Sequence, residues 1–249
     1  MAPSALDATR RSLPPWARQA VRSVVDPVLK PWGSISSVRG SRSVGLTFDD
    51  GPDPSTTPRV LDALAARGVC ATFFVVVTRA EAAPEIVRSV LAAGHEIGLH
   101  GLDHRRPTTL AKGAFDGWLR EGRRRLEQVC GRAVRWYRPP YGAQSFRTYR
   151  AARRSGLDVV VWSADVEDWL DHAPSQIAHL ARERVAPGGI LLMHDAYQGE
   201  PGDDRPPSFD RCEVVDGVLE KLEEENLRPV PIGRLVEASP VHRTAWFRA

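Results

Sequence analysis

Short apolar runs rich in β-branched residues alternate with amphipathic, helix-forming stretches along most of this chain. That alternation limits the possible folds more than any other feature. Strand-like runs fall at 43–48, 69–77, 95–99, 134–137, 158–162, 189–193 and 229–232. Helical patterns fill the intervals at 57–67, 84–93, 108–129, 145–155, 174–185 and 213–225, with Gly68, Gly94, Gly131 and Gly156 as stop signals. The stretch from Val69 to Val77 is almost continuously apolar, as a strand buried on both faces should be. Strands separated by helices pair in parallel and carry the helices on their outer faces. About seven such units in 249 residues fit one α/β barrel, closed or nearly so. No internal repeat is evident.

Composition narrows the class. A hydrophobic content of 42% supplies a sizeable core. The net charge of +3 and pI near 9.0 are only mildly basic. All but three of the 34 basic residues are arginine. The arginine runs 120–125 and 147–154 lack interleaved aromatics and any nucleic-acid motif. They read as solvated helix faces, and no nucleic-acid partner is expected. Three widely spaced cysteines, Cys70, Cys130 and Cys212, make no disulfide framework, and Cys70 is expected in the core.

The N-terminal residues divide into a polar leader and a helical pattern at 16–29. There Trp16, Ala20, Val21, Val24, Val25, Val28 and Leu29 share a face. The pattern fits a helix packed on the domain surface, or a basic, Trp-bearing helix making peripheral membrane contact. No secretory signal pattern and no run long enough to span a bilayer occurs. A cytoplasmic chain, membrane-associated in the second reading, is therefore expected. The expected organisation is a leader over 1–40, a catalytic domain over 41–237 and a tail over 238–249.

The chemistry collects where strands end. The run Val44-Gly45-Leu46-Thr47-Phe48 stops at two adjacent carboxylates, Asp49 and Asp50, before a Gly51-Pro52 turn. Like charges and burial both disfavour ionising such a pair, so a cation beside it is expected. In a parallel barrel the active site lies at the carboxyl ends of the strands. Those ends also present His100, Arg138, Asp165 and His194.

His100 and His104 are four residues apart; on a helix they would share a face, with Cβ atoms roughly 5–6 Å apart. Two imidazoles and one carboxylate suit Zn2+ with an open position for water, with Co2+, Ni2+ or Mn2+ as alternatives. Such an ion lowers the pKa of a coordinated water toward about 7. Asp50 would then complete the shell, leaving Asp49 to take a proton. Arg138 would pair with Asp49. The stiff Arg138-Pro-Pro-Tyr141-Gly142 loop would offer the Tyr141 N–H to an oxyanion. His194, the remaining imidazole, is the natural general acid, with a partner from the Asp165-Val-Glu-Asp168-Trp169 segment. Trp169 and Trp162 have flat faces that a sugar can stack on; for Trp162, core packing is the preferred reading.

In order, TFDDGP, HGLDH, RPPYG, DVEDW and LLMHD resemble the five motifs of the polysaccharide deacetylase family, also called the NodB homology domain or carbohydrate esterase family four. The resemblance spans about 44–235. It implies a distorted (β/α) barrel and metal-dependent removal of N-acetyl groups, usually from N-acetylglucosamine units. Under it, Asp49 is the base, and Asp50, His100 and His104 hold the metal. Arg138 tunes Asp49, the Tyr141 N–H receives the oxyanion, and His194 is the acid. Asp168 orients His194, with Asp165 as second choice. Leu192 and Trp169 wall the acetyl pocket. The metal motif usually carries Ser or Thr after its first His, where this chain has Gly101. The expected substrate is an N-acetylated carbohydrate in a glycan, a lipid-linked sugar or a small glycoside. The alternatives are an amidohydrolase of non-carbohydrate amides and a non-catalytic carbohydrate- or nucleic-acid-binding barrel.

Overall fold

A computed structural model of the chain describes residues 33–111, 113–198 and 206–248. The helix expected at 16–29, with its membrane contact, lies outside the described residues, as does most of the 198–210 loop. Among the described residues, no helix is long and apolar enough to cross a membrane.

The strands are β1 (Ser34–Val38), β2 (Ser43–Asp49), β3 (Thr72–Val75), β4 (Glu96–Leu99), β5 (Trp136–Tyr137), β6 (Asp158–Val159), β7 (Ala164–Asp165), β8 (Ile190–His194), β9 (Arg228–Val230) and β10 (Val241–Thr244). The helices are α1 (Thr57–Ala66), α2 (Val77–Ala82), α3 (Pro84–Ala92), α4 (Ala114–Cys130), α5 (Phe146–Arg154), α6 (Pro174–Arg184), α7 (Arg211–Glu224) and α8 (Ile232–Ala238). Seven strands pair in parallel in the order β6-β5-β4-β3-β2-β8-β7, and β9 adds to β2. The sheet curls into a half-barrel with helices around it, more open than the alternation alone suggests and in line with the distorted (β/α) barrel that the resemblance implies.

The open side lies between β6 and β7, and β1 spans it. Ile35 bridges Val160, and its carbonyl accepts from the Val161 N–H at 2.8 Å. At the other end the Val38 N–H donates to the Gly188 carbonyl at 2.8 Å. β10 then pairs antiparallel with β1. The end of the expected leader and the expected tail therefore form a two-stranded sheet, because β1 has unpaired backbone groups on its far edge that β10 satisfies.

Side chains alternate across each strand. Val44, Leu46 and Phe48, Phe73 and Val75, Ile97 and Leu99, and Leu191 and Met193 point outward into one core beneath the helices. Phe74, Trp136, Val160 and Ile190 point inward, where Ile232 and Leu235 of α8 pack with them. A buried aliphatic side chain of this kind contributes about 1.5–3 kcal/mol. The interior is thus filled low in the barrel, and the inward positions at the strand ends are left for polar groups.

Several expected boundaries move. The 69–77 run splits into β3 and α2, because Val76 turns the chain and Val77 to Ala82 are helical. The 108–129 helix begins only at Ala114, after Gly113 at φ 90°. The 158–162 strand is β6 alone, with β7 following it. The 229–232 strand is β9, and α8 begins at Ile232 after Pro231. Cys70 is half-buried two residues before β3, not in the core.

Candidate active site

Asp49, His100, Arg138, Leu192 and His194 fall on the inward phase of their strands or one step past them. Asp49 pairs in register with both Phe74 of β3 and His194 of β8. Arg138 is 0% exposed. Its Nη1 donates to Asp49 Oδ1 at 2.7 Å and to Thr47 Oγ1 at 2.8 Å, while its guanidinium lies 4.2 Å from the centre of the Phe74 ring. Thr47 passes its own hydroxyl hydrogen to the Leu191 carbonyl at 2.6 Å. Burial lowers the arginine pKa, and the charge of Asp49 opposes that loss.

Asp50 takes φ 79°, a left-handed backbone that costs a non-glycine residue about 1–2 kcal/mol. The turn is held from several sides. The Gly51 N–H donates to Asp195 Oδ1 at 3.1 Å, and the Gly51 carbonyl accepts from the Val76 N–H at 2.9 Å. Arg79 Nη1 donates to the Asp50 carbonyl at 3.1 Å. The result aims the Asp50 carboxylate at two imidazoles. His100 Nε2 lies 3.3 Å and His104 Nε2 3.0 Å from Asp50 Oδ1.

The segment from His100 to His104 is not helical, which corrects the shared-face geometry considered from the sequence. The two rings converge instead from a tight loop, with centroids 5.2 Å apart. Gly101 is at φ 106° there, and a Cβ on it would lie 2.5 Å from Trp118 Cη2. Trp118 Nε1 in turn donates to Asp103 Oδ1 at 3.1 Å. The indole thus fills the space that a side chain at position 101 would need.

The residues fit a divalent cation. One ligand atom from each of Asp50, His100 and His104 lies within 4.8 Å of the others. Asp50 Oδ1 is buried without a hydrogen-bond partner. His100 Nδ1 faces the Arg138 carbonyl at 2.9 Å; donating to it leaves Nε2 with its lone pair toward Asp50, the usual way a protein presents a ligating imidazole. Burial pushes the Asp50 pKa up. With Nε2–H groups of His100 and His104 turned toward it, in place of the cation, their contacts and the charges of His104 and His194 more than offset this and hold it well below the ordinary carboxylate range. Two imidazoles and one ionised carboxylate are a zinc-type donor set. Among the described residues, no other cluster of this kind occurs.

His194 is held by Asp168, whose Oδ1 lies 2.7 Å from Nδ1 and whose Oδ2 accepts from the His194 N–H at 2.8 Å. Burial alone would lower the imidazole pKa. The charge and hydrogen bond of Asp168, with further help from Asp50 and Asp49, instead raise it to about 9. Asp165 plays no part here. Its carboxylate pairs with Arg184 at 3.0 Å, away from the imidazole.

Tyr141 sits at φ 58° in the loop after β5, with its ring 4.4 Å from the His104 ring and the Arg106 guanidinium 4.0 Å from its centre. The Trp169 ring meets His194 edge-on at 5.6 Å and is 39% exposed. Leu192 is buried one inward step before His194. Trp162 is half-buried, packed on the edge of the inner core and against Gly142 and Trp246, so it is only partly a core residue.

Sequence reasoning missed three supporting residues. Asp195 is buried beside the Asp50 turn and also accepts from Thr57 Oγ1 at 2.6 Å. A second carboxylate directly after His194 carried the same signal as the Asp49–Asp50 pair. Burial, with the charge of Asp50 adding, raises its pKa to about 6. Arg211 donates to the His194 carbonyl at 2.8 Å and reaches Asp168 Oδ2 at 3.4 Å. It and Arg79 come from helices remote in sequence, with no local mark.

The sequence profile described as polysaccharide deacetylase matches residues 37–160. A chitooligosaccharide deacetylase from Bradyrhizobium sp. (strain ANU 289) is 36% identical over 179 residues, 72% of this chain and 80% of that protein. Among solved structures, the Bc1960 peptidoglycan N-acetylglucosamine deacetylase superposes with a TM-score of 0.74 at 26% identity, over 86% of this chain and 94% of the other. A mutant of BA3943, a carbohydrate esterase family four pseudoenzyme with restored enzymatic activity, gives 0.72 at 26% identity, over 81% and 70%. The chain belongs to the polysaccharide deacetylase family, the NodB-type domain of carbohydrate esterase family four.

Proposed function

We propose that this protein is a metal-dependent deacetylase that hydrolyses the N-acetyl group of an N-acetylglucosamine-type sugar in a glycan or smaller glycoside. One observation carries the reading. A carboxylate paired with a buried guanidinium and an imidazole paired with a buried carboxylate lie side by side, next to three side chains that fit a cation. The BA3943 comparison shows that this fold also occurs in a pseudoenzyme, so the argument rests on these side chains and not on the barrel. A non-catalytic binder has no use for them.

A divalent ion held by Asp50, His100 and His104, zinc best suiting the donors, would polarise the acetyl carbonyl and acidify a water. Asp49 takes the proton of the attacking water, and Arg138 orients it through the Nη1 hydrogen bond. The Tyr141 N–H meets the negative charge that develops on the carbonyl oxygen. His194 gives its proton to the departing amine. Asp168 fixes the ring through Nδ1, so that the proton at Nε2 is the one delivered. Trp169 and Leu192 enclose the acetyl methyl.

The test is acetate release from N-acetylglucosamine oligomers by the metal-loaded protein. Turnover is expected, with loss on chelation and recovery on adding Zn2+ or Co2+. Asp49→Asn should lower kcat at least about a hundredfold. Full activity in that variant would overturn the role of Asp49. Absence of turnover by the loaded wild-type protein across free, polymeric and lipid-linked N-acetyl sugars would overturn the reading itself.

A further inference from the structure

The last described residues are tied to the loop that carries Tyr141. After β10 the chain crosses to residues 139–144 and forms a second small bridge there. The Gln144 N–H donates to the Arg248 carbonyl at 2.8 Å, and the Arg248 N–H returns a bond to the Gln144 carbonyl at 2.9 Å. Trp246 Nε1 donates to the Gly142 carbonyl at 3.0 Å. The Gln144 side-chain amide reaches back to the Trp246 carbonyl at 2.5 Å and to Ser34 Oγ of β1 at 3.0 Å.

Ring contacts extend this tie toward Arg138. The Trp246 and Trp162 rings meet edge-to-face at 4.9 Å. The Arg248 guanidinium lies 3.9 Å from the centre of the Trp246 ring, and the Arg138 guanidinium lies 5.8 Å from that of Trp162. Gly142 is pinched between them. A Cβ there would come within 2.7 Å of Trp162 Cη2 and 3.2 Å of Trp246 Nε1.

Residues 141 and 142 both hold left-handed backbone, at φ 58° and 61°. For Tyr141 this is unfavourable in isolation, and such a conformation persists only where surroundings over-determine it. Two prolines stiffen the loop before it, but the contacts on its far side come from the C-terminal segment and β1. We infer that residues 246–248 are a positioning element of the active site: they clamp the Pro139–Gln144 loop in the conformation that presents the Tyr141 N–H, and they buttress Trp162 behind Arg138. This inference rests on the deacetylase reading for its catalytic consequence, but its structural content is independent of it.

Two variants and two readouts test it. Trp246→Phe keeps most of the ring contact and removes the N–H donor to Gly142; Trp246→Ala removes both. Backbone hydrogen exchange at residues 141–144 is expected to speed up in both, more in the alanine variant. In the metal-loaded enzyme, kcat should fall about tenfold in Trp246→Ala, with KM within about twofold of wild type, since the donor acts on charge that develops in the transition state. Val241→Ala in β10 is the stability control, expected to lower Tm with kcat unchanged. Unchanged exchange at residues 141–144 in Trp246→Ala would overturn the clamp. Faster exchange with unchanged kcat would overturn its catalytic role. A wild-type protein without turnover would overturn the deacetylase reading, while the exchange result would still decide the clamp.

Discussion

Asp49 and His194 stand side by side in the parallel register of β2 and β8, each anchored from behind by a buried group of opposite charge. Neighbouring parallel strands lie about 4.8 Å apart, so the proposed base and acid are held at a separation set by the sheet itself. Neither depends on a mobile loop for its placement. The two anchors serve different ends: Arg138 orients the carboxylate through a 2.7 Å hydrogen bond, and Asp168 favours the protonated imidazole.

The first prediction concerns pH. His194, raised to about 9, must be protonated to act as an acid, so kcat should fall as pH rises through its pKa. A cation among Asp50, His100 and His104 cancels part of the charge that raises it and should bring this alkaline limb below 9. Asp168→Asn removes the largest raising influence and should move the limb further toward neutrality. A kcat–pH profile of both proteins checks this; an unmoved limb would remove His194 from the role. The same shift affects folding. His194 lies above its ordinary value of about 6.5, so its contribution is fully present below that pH and is lost as pH rises through about 9.

The buried ion pair supplies the second. Arg138→Met leaves the Asp49 carboxylate buried without its counter-charge and should destabilise the fold by about 3–5 kcal/mol. Adding Asp49→Asn removes the stranded charge and should recover part of the loss. Denaturant melts of the two single variants and the double variant measure the coupling. A strictly additive result would mean that the two side chains do not interact as the 2.7 Å contact requires.

Asp195 supplies the third. Its carboxylate accepts from the Gly51 N–H and the Thr57 hydroxyl in a site closed to solvent. Asp195→Ala strands both donors, at about 1–3 kcal/mol each, and frees the turn that aims Asp50. Lower Tm and weaker Zn2+ binding by calorimetry are expected together. A variant that melts early but binds Zn2+ with wild-type affinity would separate Asp195 from the Asp50 geometry.

Much of this was legible in the sequence because the site is built from strand ends, and strand ends are marked where apolar runs stop. Asp49, Asp50, Arg138 and His194 each carry that mark. Period-2 alternation then decides which side chains face inward, which is why His194 enters the site and Leu191 and Met193 do not. Asp168 was separable from Asp165 only through the family motif, since residue types and spacing serve either. What could not be read was long-range. Arg79, Arg211 and Trp246 reach the site from elements whose own patterns say only helix or tail. β1 and β10 are short and mixed in polarity, and their strand character comes from pairing with each other across the whole length of the chain.

Gly101 gives the last prediction. The family motif usually places Ser or Thr here, so Gly101→Ser would look like a restoration. The structure argues the reverse. The added Cβ would lie 2.5 Å from Trp118 Cη2 and 2.8 Å from the Asp103 carbonyl, on a backbone at φ 106° that side chains rarely adopt. Either the indole or the loop must move. The loop carries His100 and His104, and it is pinned to α2 through the Gly101 and Leu102 carbonyls, which accept from the Val77 and Thr78 N–H groups at 3.0 and 3.1 Å. Gly101→Ser should therefore cost about 1–3 kcal/mol of stability from strain and overpacking and weaken Zn2+ binding by displacing the imidazoles. Trp118→Phe withdraws the ring atoms that block the new Cβ, so Gly101→Ser with Trp118→Phe should be more stable than the sum of the two single changes predicts. The Asp103 carbonyl and the positive φ remain, so the rescue should be partial. Thermal melts and Zn2+ titration of the four proteins decide it; a single Gly101→Ser variant as stable and as avid for Zn2+ as the wild type would mean that Trp118 does not exclude a side chain at position 101.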